Sequence, residues 1–218
     1  MKSAGLRVLT VVSSAFEENC YIAHLDSRGD CLVIDPGLEP ERILRELERR
    51  KLTPAAILNT HGHADHIAGN ATLKHRWPDS LLVIGAGDAP KLTDPMLNLS
   101  ATFGMDLVSP PADKTVTDGE VFSAAGLELE VLAIPGHSAG QVVFLCRGND
   151  PPVAFVGDVI FAGSIGRTDF PDGDYDALVR GIRSRLFALP EETLLLSGHG
   201  PATTVAREKR SNPFVGMG

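Results

Sequence analysis

The chain has 218 residues, of which 43% are hydrophobic and 22% are charged. Its formal net charge of -8 excludes a long-range electrostatic attraction to nucleic acid or to anionic lipid. Length and composition together predict one globular domain spanning residues 1–218, with no nucleic-acid partner and no membrane partner.

The start of the chain, Met1 to Val12, carries a short apolar run that ends before two glutamates. This run is too short for a signal peptide or a membrane span, so we expect a cytoplasmic protein. Cys20, Cys31 and Cys146 lie far apart in apolar, strand-like stretches without C-x-x-C spacing. This pattern predicts buried free thiols and neither disulfides nor metal ligands.

Apolar, β-branched runs alternate with helical patterns in the first half of the chain. Strands are predicted at residues 6–12, 20–25, 31–34, 55–59 and 81–84, and helices at residues 40–51 and 67–77. The first three strands predict an opening antiparallel sheet. The third one ends at the turn Asp35-Pro36-Gly37, and the alternation that follows is typical of a layered α/β fold.

Residues 85–120 are less regular, because four prolines interrupt an apolar stretch that includes Met96, Leu99 and Phe103. We interpret this segment as a helical insertion that packs on the core, since clusters of Met and Leu usually fill gaps. The alternative is a lid beside a functional site.

The second half of the chain returns to strand patterns. Strands are predicted at residues 127–134, 141–146, 153–156 and 193–196, and a helix at residues 174–188. Two sheet-rich halves, each with helices, predict a sandwich with the sheets inside.

Four short motifs hold seven side chains of the types that ligate metals. These are His61, His63, Asp65 and His66 in the first motif, followed by His137, Asp158 and His199. His61 and His63 are two residues apart just after a predicted strand, so an extended backbone points both imidazoles toward one metal. If a helix begins next, Asp65 and His66 project at a different angle, which suits a second metal.

The remaining candidate ligands, His137, Asp158 and His199, each follow an apolar strand, where one sheet edge can bring them together. We therefore expect one composite site for two divalent ions. Imidazoles with carboxylates suit zinc first and iron or manganese as alternatives, and the lack of a cysteine ligand argues against copper(I) or an iron–sulfur cluster. The predicted turn is enough to explain why an aspartate stands at position 35. The alternative explanation is a hydrogen bond between Asp35 and a ligand histidine.

The pattern His61-x-His63-x-Asp65-His66, followed by His137, Asp158 and His199, resembles the metallo-β-lactamase superfamily along nearly the whole chain. The resemblance implies an α/β fold, namely an αβ/βα four-layer sandwich with two central mixed sheets and helices outside. It also implies the ligand sets, with His61, His63 and His137 on metal one, Asp65, His66 and His199 on metal two, and Asp158 bridging both.

Within the superfamily, residues 163–170 and the tail 207–214 look like the short glyoxalase II type, the hydroxyacylglutathione hydrolases. This likeness implies a small-molecule acyl-thioester substrate such as S-D-lactoylglutathione. Full-length glyoxalase II enzymes carry a helical C-terminal domain with basic residues for glutathione, whereas only a short tail follows His199 here. Ser138 and Ala139 also depart from the residues more common in relatives, a change expected to affect packing more than coordination.

The implied reaction is thioester hydrolysis by a metal-bridging hydroxide, since coordination lowers the pKa of water from 15.7 to about 7. Asp65 and Asp158 are the predicted catalytic residues, because they orient the hydroxide and the ions. A thiolate leaves without obligatory protonation, so the site needs no dedicated general acid.

Several residues near the motifs have weaker predicted roles. Arg167 and Asp169 are expected to pair and shape the loop after Asp158, and Phe170 is a candidate for the pocket wall. Tyr175, together with the basic residues of the tail at positions 207 and 209, is a candidate for holding a carboxylate of the thiol carrier. A solvated tail is the preferred explanation for the two basic residues.

Three different functions stay open beside thioester hydrolysis. A mononuclear iron persulfide dioxygenase family also carries the Arg-Thr-Asp-Phe segment and would use His61, His137 and Asp158. The His199 motif and the Asn-Pro-Phe tail resemble the hydrolases more closely. The second function is that of a lactonase or β-lactamase-type hydrolase, and the third, outside enzymes, is that of a metal-holding scaffold.

Overall fold

Two six-stranded sheets form the centre of the fold in the computed structural model, which describes residues 5–218. The first sheet contains β1 (Leu6–Val12), β2 (Asn19–Leu25), β3 (Asp30–Ile34), β4 (Thr53–Asn59), β5 (Leu81–Gly85) and β6 (Lys114–Val116) in that order. Strands β1 to β3 pair antiparallel, as predicted, and β3 to β6 pair parallel. The expectation about a leader at Met1 to Val12 rests partly on residues 1–4, which lie outside the described residues.

The second sheet has the order β14-β13-β10-β9-β8-β7. Its strands are β7 (Val121–Ala124), β8 (Leu127–Ala133), β9 (Val142–Cys146), β10 (Val153–Gly157), β13 (Leu194–Ser197) and β14 (Thr203–Thr204). A small hairpin of β11 (Ile160–Phe161) and β12 (Ser164–Ile165) follows β10. Both β8 and β10 are antiparallel to β9, and β10 is parallel to β13, so β8, β10 and β13 run in the same direction.

Five α-helices cover the outer faces of the sheets. They are α1 (Pro40–Arg50), α2 (Ala64–Ile67), α3 (Asn70–Arg76), α4 (Tyr175–Gly181) and α5 (Val205–Ser211). Helix α4 is capped by Asp174, whose carboxylate accepts the backbone N–H of Ala177, and it continues into a π-helical turn at Ile182–Leu186. No helix in residues 5–218 is both long and apolar enough to cross a bilayer.

Alternation of side chains along the strands produces four layers. Leu32 and Ile34 of β3 pack with Phe144 of β9 in the buried core between the two sheets. The intervening Val33 packs in the cluster that contains α1 and α3, while Leu145 packs in the cluster that contains α4. This arrangement confirms the predicted αβ/βα sandwich with two mixed sheets inside.

The observed elements differ from the predicted ones where local patterns are short. The predicted helix 67–77 is two helices that meet at Gly69, where a Cβ atom would lie 2.8 Å from the carbonyl oxygen of Pro36. Strands β6, β7 and β14 and helix α5 were not predicted. The three cysteines are free and buried, as predicted.

The insertion expected within residues 85–120 is helical, but its helices are short and of the 3-10 type. The segment contains 3-10 turns at Ala86–Thr93 and Ser100–Phe103 and ends in β6. Pro90 lies inside the first of these turns and lacks the backbone N–H that an α-helix needs. A short 3-10 turn therefore forms there in place of an α-helix. Leu92 enters the core, but much of the remainder packs beside the candidate site described next.

Candidate metal centre

Strand ends position the candidate metal ligands at one edge of the sandwich. His61 follows β4, and His137, Asp158 and His199 follow β8, β10 and β13, which run in the same direction and therefore end at the same edge. The backbone N–H of Val142 donates to the carbonyl oxygen of Thr60 at 2.8 Å and joins the two sheets there. All seven predicted ligands are brought together at this edge.

Three histidines form the first cluster. The ring centroids of His61 and His63 are 4.6 Å apart, and that of His137 lies 4.9 Å from the first and 4.6 Å from the second. Nδ1 of His63 and Nε2 of His137 are 2.9 Å apart, although 74 residues separate them in the chain. These nitrogen atoms converge as the ligands of one ion do.

A second cluster contains Asp65, His66 and His199 beside the first one. Nε2 of His199 lies 3.3 Å from Oδ2 of Asp65, and Nε2 of His66 lies 3.7 Å from the same oxygen. Asp158 stands between the clusters, with Oδ2 3.5 Å from Nε2 of His137 and 3.6 Å from Nε2 of His199. One carboxylate thus faces both groups.

A neighbouring group holds Nδ1 and orients the ring in four of the five histidines, namely His61, His66, His137 and His199. Nδ1 of His137 donates to the carbonyl oxygen of Arg167 at 2.8 Å, and Nδ1 of His199 donates to that of Phe16 at 3.0 Å. Because these nitrogens carry the proton, Nε2 keeps its lone pair for a metal. The protein therefore fixes the tautomer needed for coordination.

Asp35 orients two further histidines from beneath the centre. Its Oδ2 lies 3.1 Å from Nδ1 of His66 and accepts the hydroxyl hydrogen of Thr60 at 2.7 Å. The oxygen of that hydroxyl lies 3.1 Å from Nδ1 of His61. The structure therefore contains the contact between Asp35 and a candidate ligand histidine that was the alternative explanation for this residue.

The donor atoms fit a metal ion, judged by their chemistry and by their hydrogen bonds. Nε2 of His61, Nε2 of His66 and Oδ1 of Asp158 are buried and have no hydrogen-bond partner within residues 5–218. Buried polar atoms without partners are costly, and clusters of such atoms from imidazole and carboxylate groups are typical of zinc or iron sites. The residues present therefore fit two divalent cations.

Burial and charge set the protonation of these groups in the metal-free protein. Burial, followed by the neighbouring histidines, holds the pKa of His61 and of His63 well below 6.5, so both stay neutral. Burial raises the pKa of Asp65, but His66 and His199 outweigh it and lower that pKa. Burial lowers the pKa of His66, but the carboxylates around it raise that pKa well above 6.5. Neutral imidazoles and ionised carboxylates bind metals, so His61, His63 and Asp65 are already in the binding form. A metal must instead displace a proton from His66.

A buried carboxylate, Asp88, connects the loops of the first cluster and was missed by the sequence analysis. Its Oδ2 accepts the backbone N–H of Gly62 at 2.8 Å and the hydroxyl of Ser138 at 2.5 Å, and its Oδ1 accepts the N–H of Gly140 at 2.7 Å. Gly62 lies between two candidate ligands, and Ser138 follows a third. The carboxylate therefore sets the spacing of the two loops.

Lys91 balances this carboxylate. Its ammonium group lies 3.6 Å from Oδ1 of Asp88 and donates to Ser138 at 2.5 Å and to Asp172 at 2.7 Å. The Lys91 Cβ lies 2.5 Å from the position that a Cβ on Gly62 would take, so glycine is required there. No local motif marks this network, because the groups that the side chains of Asp88 and Lys91 bind, other than each other, lie 26 or more residues away in the chain.

Glu18 is a second group that the sequence analysis missed. It is 1% exposed, and neither carboxyl oxygen has a hydrogen-bond partner in the described part of the chain. Burial raises its pKa well above 4.5, which favours the neutral acid. Its backbone forms a bridge with His199, and the next residue, Asn19, donates to the carbonyl oxygens of Ser197 and Gly200. In the sequence, an acidic pair before a strand is indistinguishable from a surface turn.

A cavity of about 380 Å³ opens onto the centre. Phe170 contributes to its wall, as predicted, and so does Arg167. Nε and Nη2 of Arg167 each donate to a different oxygen of Asp169 at 2.7 Å, which confirms the predicted pair. Tyr175 does not line this cavity, and the predicted solvated tail forms α5, with Arg207 exposed.

Residues 94–107 supply much of the remaining cavity wall. The lining residues from this segment are Asn98, Leu99, Phe103, Met105 and Leu107. Packing on the core, the interpretation preferred from the sequence, therefore describes only part of this segment. Its position beside the site is the one expected of a lid, the alternative interpretation.

Comparison with known proteins identifies the relatives of this chain. The profile of the metallo-beta-lactamase superfamily matches residues 14–199, which include all seven candidate ligands. Hydroxyacylglutathione hydrolase GloC of Haemophilus influenzae is 36% identical over 209 residues, covering 93% of this chain and 94% of the relative.

Two solved structures share both the fold and about a third of the residues. The crystal structure of BLEG-1 B3 metallo-beta-lactamase superimposes with a TM-score of 0.91 and 33% identity, covering 97% of this chain and 100% of the other. The crystal structure of TTHA1623 in a di-iron-bound form gives a TM-score of 0.83 and 35% identity, covering 95% and 100% respectively. Both superpositions cover at least 95% of this chain.

Proposed function

This chain belongs to the metallo-β-lactamase superfamily, and from that premise we propose that it hydrolyses a small acyl thioester at a centre of two divalent metal ions. The observation that carries the proposal is the convergence of two donor clusters on one shared carboxylate, Asp158. The second cluster supplies donor atoms beyond those of His61, His63 and His137.

We propose that His61, His63 and His137 hold the first ion, that Asp65, His66 and His199 hold the second, and that Asp158 contacts both. When bound, the ions supply the Lewis acidity that ionises water near neutral pH and polarises a carbonyl group. Four of the imidazoles, those of His61, His66, His137 and His199, present Nε2 to an ion, because Asp35, Thr60 and backbone carbonyls engage their Nδ1 atoms.

The two aspartates have distinct parts in the proposed reaction. Asp158 is 7% exposed, faces both clusters and holds them at a constant separation. Asp65 lines the cavity, and its ionised carboxylate is placed to accept a hydrogen bond from the attacking water and to orient it toward the substrate. A thiolate leaves readily as an anion, which agrees with the absence of a lysine among the residues lining the cavity.

Relatives support the choice of substrate and metal. The name of the Haemophilus relative points to thioesters of hydroxy acids with glutathione, such as S-D-lactoylglutathione. We propose zinc as the metal, with iron as the alternative that the di-iron form of TTHA1623 supports. Three buried free thiols favour the reducing cytoplasm as the compartment.

The test of the proposed function is turnover of S-D-lactoylglutathione by protein loaded separately with zinc or iron. We expect release of free thiol, with an accompanying metal content near two per chain. One iron per chain, with oxygen uptake on glutathione persulfide and no thiol release, would establish the dioxygenase alternative in its place.

Hydrolysis of a β-lactam or lactone is a second candidate, and the similarity to BLEG-1 B3 metallo-beta-lactamase along nearly the whole chain favours it. The same donor clusters serve both reactions, so the substrate and its leaving group decide between them. Assaying nitrocefin and a simple lactone beside the thioester separates the candidates. A higher kcat/KM for either ring substrate than for any thioester would replace the proposed function.

A further inference from the structure

The cavity beside the metal centre is walled mainly by apolar side chains. Its hydrocarbon wall includes Phe16, Leu38, Leu99, Phe103, Met105 and Leu107, while Phe161 and Ile165 come from the β11–β12 hairpin. His63, Asp65, His137, Asp158 and His199 form its polar end. A substrate that reaches the centre must therefore place another part of itself against hydrocarbon.

Two phenylalanines from separate segments meet at this cavity. Phe16 lies between β1 and β2, and Phe103 ends the second 3-10 turn, Ser100–Phe103, yet their rings are 5.8 Å apart in an edge-to-face arrangement. Phe16 is 38% exposed and Phe103 is 62% exposed. Exposed aromatic side chains that cluster beside a site are typical of surfaces that bind apolar ligands.

Free positive charge is scarce in the same cavity. Arg167 is the one Lys or Arg among the lining residues, its N–H groups donate to both oxygens of Asp169, and its guanidinium lies 4.3 Å from the ring centroid of Phe170. Lys91, the buried lysine behind the first cluster, is engaged by Ser138 and Asp172. Carboxylates of a thiol carrier would therefore find no unpaired side-chain cation among the lining residues.

We infer that this cavity holds an apolar acyl chain, so the substrates it favours are thioesters of unsubstituted fatty acids of medium length. The inference rests on the proposed thioester hydrolysis and specifies its substrate class. In the reaction, water adds to the thioester carbonyl carbon and the C–S bond breaks, which yields the fatty acid and the free thiol. No oxidant or further reactant is consumed.

Chain length and carrier charge are varied separately in the test. Metal-loaded protein is assayed with S-acetyl-, S-butyryl-, S-hexanoyl- and S-D-lactoylglutathione, and then with the same fatty acyl groups on uncharged N-acetylcysteamine. We expect kcat/KM to rise about fourfold for each added methylene. The two carriers should give similar values, and hexanoate should inhibit competitively at lower concentration than D-lactate.

Substitution of an aromatic wall residue provides a matched comparison. Phe103→Ala should lower the ratio of hexanoyl to acetyl kcat/KM by about tenfold. Phe214→Ala removes an aromatic side chain that is 46% exposed but does not line the cavity, and it should leave that ratio unchanged. A chain-length effect that survives Phe103→Ala would place the acyl chain elsewhere and overturn the inference.

Failure of this inference is distinguishable from failure of the proposed function. If the protein cleaves S-D-lactoylglutathione faster than S-hexanoylglutathione, the apolar-chain inference is wrong while thioester hydrolysis stands. If the metal-loaded protein cleaves none of these thioesters, the proposed function is wrong and the inference falls with it.

Discussion

Replacing Asp88 by asparagine tests whether a buried carboxylate sets the geometry of the first histidine cluster. Asp88 is fully buried and accepts three hydrogen bonds, from the backbone of Gly62 and Gly140 and from the hydroxyl of Ser138. Asparagine keeps one acceptor oxygen but turns the other into a donor. The new amide NH₂ group then faces at least one of the three groups that donate to the carboxylate in the parent protein. The ammonium group of Lys91 also loses the negative charge that lies 3.6 Å away.

The expected cost follows from these contacts. Hydrogen bonds to charged groups contribute about 1.5–3 kcal/mol each, and breaking a buried ion pair on one side costs about 3–5 kcal/mol. We therefore expect Asp88→Asn to lower the free energy of unfolding of the metal-free protein by about 3 kcal/mol. Because the loops that carry His63 and His137 lose their common anchor, metal affinity should fall by about 10- to 100-fold.

The assay combines urea unfolding of the metal-free protein with a metal titration against a competing chelator. Asp26→Asn is the matched control, since Asp26 pairs with Arg7 on the exposed surface, and this variant should leave both quantities unchanged. Stability and metal affinity of Asp88→Asn equal to those of the parent protein would refute the anchoring role.

Three further predictions concern the shared carboxylate, the metal and the thiols. Asp158→Ala should reduce thioester hydrolysis by at least about a hundredfold and lower the metal content, with the circular dichroism spectrum retained; an unchanged rate would reject its place between the ions. Removing metal with a chelator should lower Tm by about 5 °C or more, and an unaltered Tm would indicate that the donor clusters hold no ion. Burial raises the pKa of Cys31 from 9.0 to about 12, so above pH 9 the unfolded chain binds fewer protons than the folded one. Stability should therefore fall between pH 9 and 12 by up to about 1.4 kcal/mol per pH unit for this thiol, and Cys31→Ala should reduce that slope in urea unfolding experiments. A slope that Cys31→Ala leaves intact would contradict the burial effect.

Much of the fold was predictable because its strands are long and apolar enough to carry a local pattern. The patterns at residues 6–12, 55–59 and 153–156 predicted strands that the structure contains with small shifts at their ends. The short strands β6 and β14 have no such pattern, because their stability comes from neighbouring strands and not from their own side chains.

The candidate site was predictable to the extent that its residues form recognisable motifs. Asp88 and Lys91 have no motif, since their partners lie up to 52 and 81 residues away in the chain and are brought close only by the fold. Glu18 is similar, because the residues that lie against it, Gly37 and His199, are distant in the chain. Contacts between residues that are distant in the chain depend on the tertiary structure, so a local sequence pattern does not predict them.

The segment between β5 and β6 shows a different limit. Its Met and Leu residues predicted core packing, yet Phe103 and Met96 are 62% and 67% exposed. Composition alone does not distinguish apolar side chains that fill a core from those that wall a cavity, because both are enriched in the same residue types.

The metal stoichiometry of thioester hydrolysis tests the two-ion centre most directly. In a titration of metal-free protein with zinc or iron, release of free thiol should increase until two equivalents per chain are bound and then remain constant. Full activity at one equivalent per chain would contradict the two-ion centre.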